Sequence, residues 1–123
     1  MKRLITVIFT GMFFLAGCAM APVVGGPVSR DKITDGVYDG SYGSGPNRAE
    51  VRVTIRDRAI TDIQVVEHWA WRGKGAETIV VERIIASQST DVDAVSGATN
   101  SSRVIMNAVQ AAIEKAVAKE PGP

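Results

Sequence analysis

The chain has 123 residues, with 14 Lys and Arg against 13 Asp and Glu, a single Cys and a single His. That length builds one small domain and no more. A near-neutral balance without a basic stripe argues against a nucleic-acid partner, one Cys excludes an internal disulfide or a multi-cysteine metal site, and one His argues against a His-dependent hydrolase.

Lys2 and Arg3 give the N-terminus a charged start, residues 4–15 are nearly all apolar, and Leu15-Ala16-Gly17-Cys18 follows. The apolar run falls short of the roughly 20 residues that a spanning helix needs, so residues 1–17 read as a secretory signal peptide. Leu-Ala-Gly-Cys resembles the lipobox of bacterial lipoproteins, in which the cysteine is acylated and the signal is cleaved ahead of it. The resemblance implies lipidation at Cys18, the lipid bilayer as a partner, and an extracytoplasmic domain anchored to a bacterial membrane. Ala19 in place of Asp favours the outer membrane in a Gram-negative source. Loss of the signal removes Lys2 and Arg3, leaving twelve basic against thirteen acidic residues. Residues 18–32 carry Pro22, Gly25, Gly26 and Pro27 without a helical or strand period, and read as a flexible tether.

The domain is expected over residues 33–119, with a tail at 120–123. Residues 35–42 alternate Val37, Asp39 and Ser41 against Tyr38, Gly40 and Tyr42, a first strand closed by Gly43 and Gly45-Pro46. Residues 50–56 form a clearer strand, with Val51, Val53 and Ile55 on one face. Residues 60–68 give a third, and residues 57–59 connect the two as a hairpin without a glycine to ease positive φ. Residues 68–75 break the pattern: Trp69, Trp71, Arg72 and Lys74 lie among Gly73 and Gly75 in an expected loop, and His68 reads as an ordinary side chain. Residues 77–88 favour a helix, with a strand as the alternative because of their β-branched content. In the last long run, Val104, Ile105, Ala108, Val109, Ala112, Ile113, Ala116 and Val117 recur as pairs every four residues, the stripe of an amphipathic helix. Its polar face is expected to carry Asn107, Gln110, Glu114 and Lys115.

Just ahead of that helix stands Asp93-Ala94-Val95-Ser96-Gly97-Ala98-Thr99-Asn100-Ser101-Ser102, with Arg103 next. Four hydroxyls around a Gly-Ala pair at a helix start suit a phosphate, because the first amides and the positive end of the dipole favour an anion. Gly97 lets backbone approach a ligand. The same residues also suit a Ser-rich N-cap with no ligand. The motif resembles the flavinylation sequence of the FMN-binding domain family, and Gly36-Val37-Tyr38-Asp39-Gly40 resembles that family's opening strand. The resemblance implies FMN joined through its phosphate to Thr99 by a flavin transferase that uses FAD. It further implies that Ser96, Gly97, Ala98, Ser101, Ser102 and Arg103 surround the attachment, with the amides of 101–103 on the phosphate and Asp93 read by the transferase. Trp69, Trp71, Gly73 and Gly75 become flavin-contact candidates. No residue is assigned a catalytic role and none a metal.

The expected fold is therefore α+β: a small antiparallel sheet with two helices packed on one face, and the flavinylation motif at the start of the C-terminal helix. The expected function is electron carriage on a covalent FMN, between membrane or extracytoplasmic redox partners, rather than self-contained catalysis. Two alternatives stand beside it: a small flavin-dependent reductase with its own substrate, and a non-redox envelope lipoprotein whose Ser-rich turn is only a cap. About 85 residues leave little chain for a substrate pocket beside a flavin.

Overall fold

The computed structural model describes residues 25–69 and 75–118; the expected signal peptide, Cys18, Trp71, Gly73 and the tail lie outside the described residues. Three strands come first, β1 (Gly36–Ser44), β2 (Asn47–Arg56) and β3 (Ala59–Trp69), then the helices α1 (Ala76–Ser87) and α2 (Thr99–Ala118). The strands form one antiparallel sheet in the order β1-β2-β3. This is the expected small α+β architecture. α2 packs across β1 and β2, while α1 packs on β3 and α2.

Alternation decides which sheet face is covered. Tyr38 and Gly40 of β1 and Ala49, Val51, Val53 and Ile55 of β2 point into the core, and their neighbours point out. On the open face Arg52 pairs with Asp39 directly opposite (3.0 Å), an exposed pair that contributes little. In β3 the inward residues Ile60, Ile63, Val65 and His68 are spaced three, two and three apart. Two register shifts explain this, leaving Thr61 and Val66 as extra residues opposite β2. Val66, at the second bulge, is exposed.

Both hairpins have two-residue loops. Ser44 pairs with Asn47 across Gly45-Pro46, and Gly45 has φ +57°. Arg56 pairs with Ala59 across Asp57 and Arg58, both in the left-handed region at φ +53° and +58°. That is the type I′ turn, which suits the twist of the strands, here built without glycine. Asp35 holds it: its carboxylate accepts from Asp57 N–H and Arg58 N–H, each at 2.9 Å. Arg30 donates to the carbonyls of Asp57 (3.2 Å) and Arg58 (3.3 Å).

α2 is the buried centre of the fold. Val104, Ile105, Ala108, Val109, Ala112, Ile113 and Ala116 are buried as the stripe requires. Three residues depart from the expected stripe, two of them because α2 has neighbours on two sides. Asn107, expected on the polar face, is buried, as is Met106, and Val117 near the end is exposed. β1 meets α2 closely at Gly40, where a Cβ would lie 2.1 Å from Ala108 O and 2.6 Å from Ala112 N. Only glycine permits that approach.

Part of the expected tether is packed on the domain. Val28 N–H donates to Gln88 O (2.9 Å) and Thr90 N–H to Gly26 O (3.0 Å), so residues 26–28 run beside 88–90 like a short strand. The Thr90 hydroxyl accepts from Gly26 N–H (3.0 Å) and donates to Gln110 Oε1 (2.7 Å) on α2.

Candidate functional site

α2 and β1 run in opposite directions: Thr34 N–H reaches Ala116 O (3.2 Å), and Gly40 faces Ala108 and Ala112. The start of α2 therefore lies toward the Ser44–Asn47 hairpin. In the sheet register Gly43, Arg48 and Trp69 fall in one row at that same end. The motif and the end of β3 thus share one end of the domain.

The motif folds as a tight turn leading into the helix. Ala98 N–H donates to Val95 O (2.9 Å), closing Val95-Ser96-Gly97-Ala98, with Gly97 at φ +79° in third place. A positive φ there is the mark of a type II turn and calls for glycine. A Cβ on Gly97 would meet nothing within 4 Å, so the turn's outer side is open. The helical ladder begins with Ser102 N–H on Ala98 O (2.9 Å). The amides that precede the ladder, at the positive end of the dipole, are those of residues 99–101. Of the amides of 101–103 that the resemblance sets on the phosphate, that of Ser102 is engaged in the ladder.

The four hydroxyls separate by burial. Ser96 is exposed and Thr99 half-buried. Ser101 is 4% exposed and Ser102 0%, so these two side chains lie inside the fold. Ser102 Oγ donates to Ala98 O (2.7 Å) and accepts from Val95 N–H (3.0 Å). Gly97 is exposed, and Ala98 and Arg103 are half-buried. The Asp93 side chain is exposed, and its carbonyl accepts from Arg83 Nη1 of α1 at 2.7 Å. Arg83, Ala86, Ser87, Asp91, Val92 and Asp93 line a shallow cavity of about 420 Å³ beside the motif.

The expected loop begins later than its sequence pattern implies, because β3 continues through His68 and Trp69. His68 turns inward, its side chain 1% exposed, and Nδ1 bonds Glu77 Oε1 of α1 at 2.8 Å. A carboxylate only accepts, so Nδ1 carries the proton; Nε2 is buried and makes no hydrogen bond among the described residues. The pair joins β3 to α1. Trp69 turns the other way, 64% exposed on the open face of the sheet with Nε1 bonded to Glu67 Oε1. Its ring stands on the side of the sheet opposite α2. Gly75 caps α1 with a right-handed backbone (φ −66°).

Sequence reasoning missed three residues that shape the fold: Arg83 beside the motif, and Asp35 and Gln88 toward the opposite end, at the Asp57-Arg58 turn and the start of β3. Gln88 ends α1 in the left-handed region (φ +51°), and its amide bonds Ile60 N–H (2.8 Å), Ile60 O (2.9 Å) and Ile85 O (2.7 Å). The absence of a glycine after α1 was the available sign that a side chain stabilises that terminus.

Fold and turn together define a small α+β domain that presents a helix start, an open glycine turn and a reachable hydroxyl at one end. A family model for the FMN-binding domain matches residues 45–114. An uncharacterized protein of Treponema pallidum (strain Nichols) is 35% identical over 92 residues, covering 68% of this chain and 24% of that protein. The chain therefore spans about a quarter of that relative's length. It belongs to the FMN-binding domain family and is a flavin-binding protein.

Proposed function

We propose that this protein carries electrons outside the cytoplasm on an FMN joined through its phosphate to Thr99, and that it is held at a membrane by acylated Cys18. The observation that carries the attachment is the sorting of the hydroxyls. Thr99 is half-buried at the first position of α2, whereas Ser101 and Ser102 are buried within the fold. Ser96 is reachable too, but it stands on the far side of Gly97, ahead of the helix rather than on it. The residues present fit a phosphate: Gly97 leaves its outer side open, and the amides of 99–101 and the α2 dipole favour an anion.

FMN, when bound, supplies the redox chemistry. The chain supplies attachment at Thr99, orientation through the turn, and a favourable field for the phosphate at the helix start. Asp93, exposed ahead of the turn, is the group offered to a flavin transferase. Arg83 fixes the Asp93 carbonyl from α1 and so sets where that carboxylate begins. Trp69 stands exposed on the sheet face opposite α2, at the same end of the domain as the turn.

The test is co-expression with a flavin transferase, followed by denaturing electrophoresis under ultraviolet light. The wild type should retain flavin fluorescence after denaturation, and Thr99→Val should fold with an unchanged melting profile but show none. Fluorescence that persists in Thr99→Val would move the link to another residue.

A further inference from the structure

Ser102 belongs to the motif, yet its side chain faces inward. It is fully buried, and its hydroxyl uses its proton on Ala98 O (2.7 Å) and a lone pair on Val95 N–H (3.0 Å). Those are the two end residues of the turn, which otherwise has one closing bond, Ala98 N–H to Val95 O. A single hydroxyl one turn inside α2 therefore clasps both ends of Val95-Ser96-Gly97-Ala98. Thr99 follows Ala98 directly, so the clasp also fixes where its hydroxyl stands.

We propose that Ser102 is a positioning residue for flavin loading: it keeps the turn closed, so that the transferase meets Thr99 in one conformation on the folded domain. This rests on the attachment reading given above. In the loading step the Thr99 hydroxyl attacks the FMN-side phosphorus of FAD. The Thr99 Oγ–P bond forms as the anhydride P–O bond breaks, AMP leaves with the electron pair, and the hydroxyl proton passes to solvent. Nothing is oxidised or reduced, and Ser102 makes no bond to the reacting atoms. Its effect is on the fraction of chains in the competent conformer, which scales the apparent affinity of the transferase for its protein substrate. Removing the hydroxyl strips the Val95 amide of its partner and leaves the turn with one bond.

The test loads the full-length chain, purified in detergent without flavin, with a purified flavin transferase and FAD, and follows intact mass. Ser102→Ala should raise KM for the chain about tenfold while kcat stays within about twofold, the size expected from leaving the Val95 amide without its partner. The Val95 amide should exchange rapidly in that variant while the α2 interior remains protected. Val109→Ala, a core change in the same helix with a comparable loss of melting temperature, should load like the wild type. Should Ser102→Ala not fold, Ser102→Cys keeps a weaker bond in nearly the same volume and should give a smaller rise in KM. Equal loading of Ser102→Ala and wild type, equal losses in Val109→Ala, or faster loading of the loosened turn would each overturn the proposal. A wild type that gains no mass would instead strike the attachment reading itself.

Discussion

Single side chains in this domain act by closing backbone groups that the secondary structure leaves open. Asp35 is the clearest case. The amides of Arg58 and then Asp57 hold its carboxyl below the ordinary carboxylate range, with the Arg58 charge adding to the effect. A depressed folded value means that the stabilisation is fully present above the unfolded value and is lost as pH falls through the folded one. Melting temperature measured against pH should therefore fall more steeply in acid for the wild type than for Asp35→Asn, with the two curves converging at low pH. Parallel curves would show that the carboxylate does not support the Asp57-Arg58 turn. The role could not be read from the sequence, because Asp35 lies 22 residues from the first amide it binds. Ser102 could have been placed: it falls on the same helical stripe as Ile105, Met106 and Val109, all buried.

At the scale of elements, what was legible was what one-sided burial imposes. β2 alternates cleanly because one face meets α2, and the paired stripe of α2 announced its own packing. β2 starts three residues ahead of the expected strand, since the two-residue Gly45-Pro46 turn brings Asn47 straight into register with Ser44. β3 was blurred by bulges at Thr61 and Val66, which break the period of two and carried Trp69 from the expected loop into the strand. The contact that sets the height of α2 above the sheet is Gly40 on Ala108 and Ala112. Gly40→Ala should destabilise the domain by about 1–3 kcal/mol in denaturant melts, the usual cost of overpacking. Because it would shift α2 against β1, flavin loading at Thr99 should fall with it. A variant of unchanged stability would mean that the helix can move off the strand without cost.

For the whole molecule, the layers bring both chemical features of the sequence to one end: the glycine turn with Thr99 at the start of α2, and the end of β3 beside the 70–74 segment. Among the described residues no helix is long and apolar enough to cross a membrane. Cys18→Ser should move the protein out of the membrane fraction, or leave it unprocessed with residues 1–17 attached. Recovery of the wild type from the soluble fraction, with an N-terminus other than Cys18, would contradict the anchor. The domain's family was legible from the order of residues in the motif, and the structure adds which of its hydroxyls stand at the surface. The central claim is the bond at Thr99, and intact mass of the native protein followed by peptide mapping tests it most directly. The account predicts one FMN increment, lost in Thr99→Val and carried by the peptide that contains Thr99. A native mass without that increment, or an increment mapped to Ser96 or to a peptide outside the motif, would contradict it.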